Sequence, residues 1–296
     1  MLIGGELAYH VLRCFPTPYS WQSRLDASSV PAPSKLEVHW GPNIWNELAG
    51  RTVLDYGCGT GGDTLEIARR GARRVLGVDI FQQGLAVAAR AAERANLADR
   101  CIFRTRAEEK VDAIVCVDAF EHFGDPAAIL RMMAELLNPG GTVFVSFGPP
   151  WLHPYGGHSF SVFPWAHLLF TEQSLLRWRA RYCSDGATRF HEIRGGLNQM
   201  TIRRFERLVE ESPFQITEFA AVPIRPLRLL HNRLTREFFT SIVRCKLTAK
   251  CVPTSPITVV PDRDDEPVPD RGGRGPARKC PVLPVSHQEQ DGKQLV

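Results

Sequence analysis

The sequence predicts an α/β domain in which helices cover both faces of a mostly parallel sheet of seven strands. Three observations carry that expectation. Short apolar runs alternate with helix-forming runs between residues 52 and 147, the pattern of strand–helix–strand units joined by right-handed crossovers. The run at 112–117 is nearly all apolar, as a strand covered on both faces must be. A glycine-rich run, Gly57-Cys58-Gly59-Thr60-Gly61-Gly62, stands where the first strand meets its helix, a junction that needs a tight turn.

Residues 1–50 read as a helical lead-in. Trp40, Ile44, Trp45 and Leu48 recur at helical spacing and predict one short helix over 35–48. The domain proper spans 51–250. Residues 52–56 form the first strand, and 63–70 a helix with Leu65, Ile67 and Ala68 inward. Residues 74–79 give the second strand, and 86–95, all good helix formers, the next helix. A short third strand covers 102–105 and the fourth covers 112–117. Asp125-Pro126 opens a helix to Leu137, Asn138-Pro139-Gly140-Gly141 reads as a turn, and 142–147 is the fifth strand. An aromatic-rich insertion at 149–197 exceeds what a connector needs. A helix at 201–211 and strands at 214–222 and 238–248 complete the domain. Residues 251–296 are rich in Pro, Gly and charge without apolar periodicity, which predicts a disordered tail.

The 296 residues, 44% hydrophobic and 23% charged, allow one large core. A net charge of +4 from 36 basic and 32 acidic residues shows no dedicated nucleic-acid stripe. The nearest basic stretch, 225–246, also carries apolar residues and reads as ordinary surface, with a phosphate-binding patch as the lesser option. Eight cysteines contain no CxxC pair, which argues against a zinc ribbon and gives no metal site. Cys58 and Cys116 in core-like runs fit reduced thiols and a cytoplasmic protein. Neither a signal peptide nor a membrane span is expected, and the oligomeric state is left open.

Gly57, Gly59 and Gly62 satisfy GxGxxG after a strand and before a helix, where unpaired N–H groups and close backbone approach suit a nucleotide-like ligand. Asp79, at the end of the second strand, can accept hydrogen bonds from ribose hydroxyls. These features alone say adenosine-containing cofactor and no more. The run Val53-Leu54-Asp55-Tyr56-Gly57-Cys58-Gly59-Thr60-Gly61, the acid at Asp79, the segment Asp118-Ala119-Phe120-Glu121-His122-Phe123 and the turn Leu136 to Gly141 together resemble the class I S-adenosylmethionine-dependent methyltransferases, in their small-molecule, type 11-like branch. The resemblance runs from about Thr52 to Thr248 and implies a Rossmann-like fold, S-adenosyl-L-methionine as cofactor and a small-molecule acceptor. It implies cofactor contacts at Asp55, Tyr56, Gly57, Cys58, Gly59, Gly61, Asp79, Ile80, Ala107 and Asp118. One departure touches the adenine subsite: Arg106 stands where the family usually has an acid unless Glu108 substitutes for it, and the helix before the fourth strand is missing.

For the acceptor side, the candidates are His122 as a general base, with His158 and Tyr155 in the loop after the fifth strand. Each has an architectural reading of at least equal weight. The aromatics between Trp151 and Trp178 read equally as the lining of an acceptor pocket or as a satellite core. The first reading makes 149–197 a cap over the acceptor, hinged at Gly156-Gly157. Two other functions stand beside methyl transfer: an NAD(P)-binding oxidoreductase, against which Asp55 and the 138–141 turn speak, and a non-catalytic domain of the same fold. A nucleic-acid acceptor is disfavoured because Asp118-Ala119-Phe120-Glu121 replaces the Asn/Asp-Pro-Pro-aromatic run of amino-methyltransferases acting on nucleic acids.

Overall fold

The computed structural model describes residues 2–15, 33–183, 185–193 and 195–250. The tail expected at 251–296 lies outside the described residues. Within them, a sheet of seven strands has the order β3-β2-β1-β4-β5-β7-β6, with β1 Thr52–Tyr56, β2 Arg74–Val78, β3 Cys101–Arg104, β4 Val111–Cys116, β5 Leu137–Phe147, β6 Phe214–Pro223 and β7 Thr240–Ala249. The first five strands pair in parallel, and β7 runs antiparallel to both β5 and β6.

Alternation along the strands sorts their side chains onto two faces. Leu54, Ile114, Val143 and Val145 face one layer, packed on Leu130 and Met133 of α6 (Pro126–Leu136) and on Ile202, Phe205 and Val209 of α9 (Ile202–Glu210). Val53, Val75, Ala113, Val115 and Phe144 face the other. There they meet α2 (Lys35–Trp40), α3 (Ile44–Leu48), α4 (Gly62–Arg69) and α5 (Gln82–Arg94). The helix expected over 35–48 is therefore two helices. Gly41, at φ 76°, ends the first, and Pro42 follows it, so helical geometry cannot continue. Both pieces still bury their apolar residues in the same layer.

The expected turn at 138–141 is instead part of β5. Leu137 pairs with Val111 and Thr142 with Ala113, so four residues bulge out of the ladder. Asn138 donates to Asp112 across the bulge at 2.8 Å, and Gly140 takes φ 78°. The missing helix between β3 and β4 is indeed absent: 105–110 is a bare connection. Arg74 holds it by a two-pronged pair with Glu109 at 2.8 and 3.0 Å.

Part of the insertion builds a third core. Phe160, Phe170, Leu175, Leu176, Trp178 and Phe190 pack with Ala8 and Leu12 of α1 (Gly5–Arg13). The insertion supplies α7 (Ala166–Leu169) and α8 (Glu172–Arg179), and Ile3 bridges to Phe170. The satellite-core reading of these aromatics is the one realised. The glycine pair expected as a hinge is closely packed. A Cβ on Gly156 would lie 2.3 Å from the Pro150 carbonyl oxygen, and one on Gly157 2.4 Å from the His167 Cβ. Their role is close packing. Between β6 and β7 lies the short α10 (Arg236–Phe239), so the seventh strand begins at Thr240 and not at 238. Among the described residues no helix is long and apolar enough to cross a membrane.

Candidate active site

The carboxyl ends of β1, β2 and β4 open into a cleft of about 420 Å³ lined by Tyr56, Gly57, Asp79, Ile80, Asp118 and His122 among others. Ligands of open α/β sheets bind at this edge. The floor is the loop after β1. Gly57 N and Cys58 N both donate to the Val78 carbonyl, at 2.8 and 3.1 Å, so the loop wraps over the end of β2. Gly57 adopts φ 84°, and a Cβ there would lie 2.7 Å from that of Ala119. Asp79 braces the loop. Its Oδ2 accepts from Gly59 N and its Oδ1 from Phe81 N, each at 2.8 Å. Ile80 is 90% exposed beside it, an apolar surface at the rim.

The cleft is acidic. Asp55 is buried and accepts from the Thr64 hydroxyl at 2.5 Å. Burial pushes its carboxyl up to about 7, with the charges of Asp63 and Asp79 adding to the effect. Asp63 is raised as well, first by burial, with Lys35 opposing. Asp118 behaves oppositely. It sits at φ 49°, directed by hydrogen bonds from its own N–H to the Ser146 carbonyl and hydroxyl. Burial would raise its carboxyl, but His39 and Lys35 outweigh that and hold it at about 2. Lys35 is the closer, its Nζ at 2.8 Å from Oδ2, while His39 Nε2 stands at 3.7 Å from Oδ1. Both side chains come from α2, far away in sequence.

Behind the cleft, Glu121 is buried and accepts from Gly148 N at 3.0 Å through Oε1, while Oε2 has no partner among the described residues. Burial lifts it to about 7 against the pull of His122 and the Gly148 N–H. His122 Nδ1 lies 2.9 Å from the Gly196 carbonyl oxygen. A carbonyl only accepts, so Nδ1 is the donor, and whenever the ring is neutral the lone pair lies on Nε2. Asn198 clasps the same turn, donating to the Phe120 and Phe123 carbonyls at 2.9 Å each.

Of the residues singled out in the sequence, Tyr56, Gly57, Asp79, Ile80, Asp118 and His122 line the cleft. Asp55, Cys58, Gly59 and Gly61 shape its floor from beneath. Gly61 caps α4 at φ 82°, its Cβ position filled by Ala88 and Phe103. Ala107 packs against the core instead, and Thr105 lines the cleft from that connection. Glu108 and Arg106 are both exposed. His158 does not line the cleft. Its ring stands edge-on to His122 at 5.3 Å between centroids, and burial followed by the His122 charge lowers it to about 4. Tyr155, 49% exposed, is also outside the lining, with His153 as its neighbour. Lys35 and His39 join the site without any local sign in the sequence. Their one signal is the i, i+4 spacing of Lys35 and His39 on α2, which means nothing until β4 is placed beside it. A second depression of about 330 Å³, lined by Trp40, Glu218, Arg244 and others, contains none of the cofactor or acceptor candidates named from the sequence.

Comparison with known proteins adds to this geometry. A family model described as a methyltransferase domain matches residues 38–218. A ubiquinone biosynthesis O-methyltransferase of Neisseria meningitidis is 41% identical over 110 residues, 34% of this chain and 45% of that protein. One from Acinetobacter baumannii is 33% identical over 133 residues, 43% of this chain and 56% of that protein. The chain thus spans about half the length of these curated relatives. A solved S-adenosylmethionine-dependent methyltransferase from Clostridium acetobutylicum has TM-score 0.48 at 13% identity, covering 78% of this chain and 98% of that one.

Proposed function

This chain belongs to the methyltransferase domain family, and from that premise we propose that it transfers a methyl group from S-adenosyl-L-methionine to a small-molecule acceptor. The observation that carries the reading is the cleft at the sheet's carboxyl edge, where a braced glycine loop, Asp79 and Asp118 converge. The residues fit the donor. Asp79 has about four acceptor positions, two of them spent on Gly59 and Phe81, which leaves room for ribose hydroxyls. Ile80 and Thr105 flank the place for the adenine, without an acid from the 105–110 connection. Asp118 and Lys35 form a pair of opposite charges suited to the ammonium and carboxylate of the donor's amino-acid end. When bound, the donor supplies an electrophilic methyl on a sulfonium cation, and an acidic cleft favours a cation.

The chain's own part is to position and to move one proton. Holding the acceptor against the donor supplies much of the acceleration. The relatives are named as O-methyltransferases, and a hydroxyl acceptor must lose its proton. His122, fixed with Nε2 bare, takes that proton. His158 and Glu121 sit behind it and hold the turn. Residues 149–197 contribute Gly195 to the cleft and act as the wall that selects the acceptor. The free thiols Cys58, Cys101 and Cys116 support a reducing, cytoplasmic setting. Calorimetric titration with S-adenosylmethionine, its demethylated product and NAD tests the reading. Binding of the first two and not of NAD is expected; binding of NAD alone would overturn it.

A further inference from the structure

Residues 224–239 leave the sheet between β6 and β7 and expose apolar side chains that the fold does not use. Leu229 is 92% exposed and Leu234 88%, with Leu230 and Phe238 also exposed. Arg225, Arg228 and Arg233 are exposed among them. None of the three takes part in an ion pair among the described residues, whereas Arg236 is paired with Glu206. The acid of the segment, Glu237, is consumed internally: its carboxylate accepts from Ile202 N and Arg203 N at the start of α9, at 3.0 and 2.8 Å. The surface is therefore cationic and apolar together.

The segment is also ordered. Ile224 N donates to the Phe239 carbonyl at 2.8 Å, closing its base. His231 Nε2 meets the Thr240 hydroxyl at 2.9 Å, and Asn232 Oδ1 accepts from Leu234 N at 2.9 Å. The leucines are presented by a fixed scaffold. Register places that scaffold. Phe147, at the carboxyl end of β5, pairs with Val243, so the chain arriving at Thr240 stands on the same edge of the sheet as the cleft. Strand β7 is two strands from β4, roughly 10 Å at ordinary strand spacing.

We propose that residues 225–238 dock this protein onto an anionic lipid surface, with the leucines entering the headgroup boundary and the arginines facing lipid phosphates. Exposed leucines between unpaired arginines match an interfacial anchor, which combines buried apolar area with attraction to anionic headgroups. A single-stranded nucleic acid would want stacking platforms, and the fully exposed side chains here are aliphatic. Docking by this segment turns the carboxyl edge toward the bilayer and admits acceptors dissolved in it. The inference stands independently of methyl transfer.

Flotation of the full chain with vesicles tests it, using roughly one-third phosphatidylglycerol in phosphatidylcholine against phosphatidylcholine alone. Three arginines near an anionic surface are worth on the order of a hundredfold in partitioning. Binding to the anionic vesicles should exceed binding to the neutral ones by at least about tenfold. Leu229→Ser with Leu234→Ser, and separately Arg225→Gln with Arg228→Gln and Arg233→Gln, should each lose most of it with unchanged melting. No binding to anionic vesicles, equal binding to neutral ones, or unchanged binding by both variant sets would overturn the proposal. So would complete displacement from vesicles by single-stranded RNA with no dependence on the leucines. If either set melts lower, the other decides.

Discussion

Replacing Asp79 by Ala removes two things that a titration can separate. The side chain accepts from Gly59 N and Phe81 N at 2.8 Å each and, in this account, from two ribose hydroxyls. Hydrogen bonds to a charged group contribute about 1.5–3 kcal/mol, and the lower end applies because Asp79 is only half-buried. Two lost ribose bonds then amount to about 3 kcal/mol, or roughly two decades in dissociation constant. Freeing Gly59 N also loosens the loop, which lowers the melting temperature and weakens binding without any ribose contact. A double-mutant cycle resolves the two. Native protein and Asp79→Ala are titrated calorimetrically with S-adenosylhomocysteine and with its 3′-deoxyribose analogue. The native protein should discriminate against the deoxy analogue by about tenfold, and the variant should bind both alike. If the variant keeps the native discrimination, the ribose does not rest on Asp79.

With a hydroxyl acceptor identified by a substrate screen, His122→Ala should lower turnover by about 10²–10⁴-fold and leave affinity for S-adenosylhomocysteine unchanged; unchanged turnover would remove His122 as the base. Asp55 gives a pH signature. Its folded carboxyl is near 7, above an unfolded value of about 3.9, so the stability it contributes below about pH 4 is lost as pH rises through about 7. Asp55→Asn, neutral throughout, should melt near the native protein at pH 4 and progressively higher than it towards pH 8; a flat difference across that range would contradict the burial argument. Gly156→Ala drives a Cβ to 2.3 Å from the Pro150 oxygen and should cost about 1–3 kcal/mol in urea unfolding. Native stability would contradict the close packing.

The β1–loop–α4 unit was legible because its chemistry is local. A strand, a glycine turn and a helix follow within residues 52–69, and Asp79 falls at the next strand end. Strand β4 and the resumption of the rhythm at 201 were legible for the same reason, since periodicity survives in each segment alone. What could not be read depends on distant neighbours. Lys35 reaches Asp118 across 83 positions, and no pattern near either residue announces the other. The third core joins α1 to Trp178 and Phe190. An aromatic run looks the same whether it lines a pocket or fills a core, and only Ala8 and Leu12 arriving from the amino end decide it. Asn138-Pro139-Gly140-Gly141 has turn chemistry and does turn, but as a bulge inside β5, because Asp112 lies opposite to receive Asn138.

Whether the methyl donor occupies the cleft at the carboxyl edge is settled most directly by a crystal structure of the full chain with S-adenosylhomocysteine. The account predicts ligand density over Gly57, with the ribose hydroxyls on Asp79 and the amino-acid end between Asp118 and Lys35. Density instead in the depression beside Trp40 and Arg244, with the carboxyl-edge cleft empty, would contradict it.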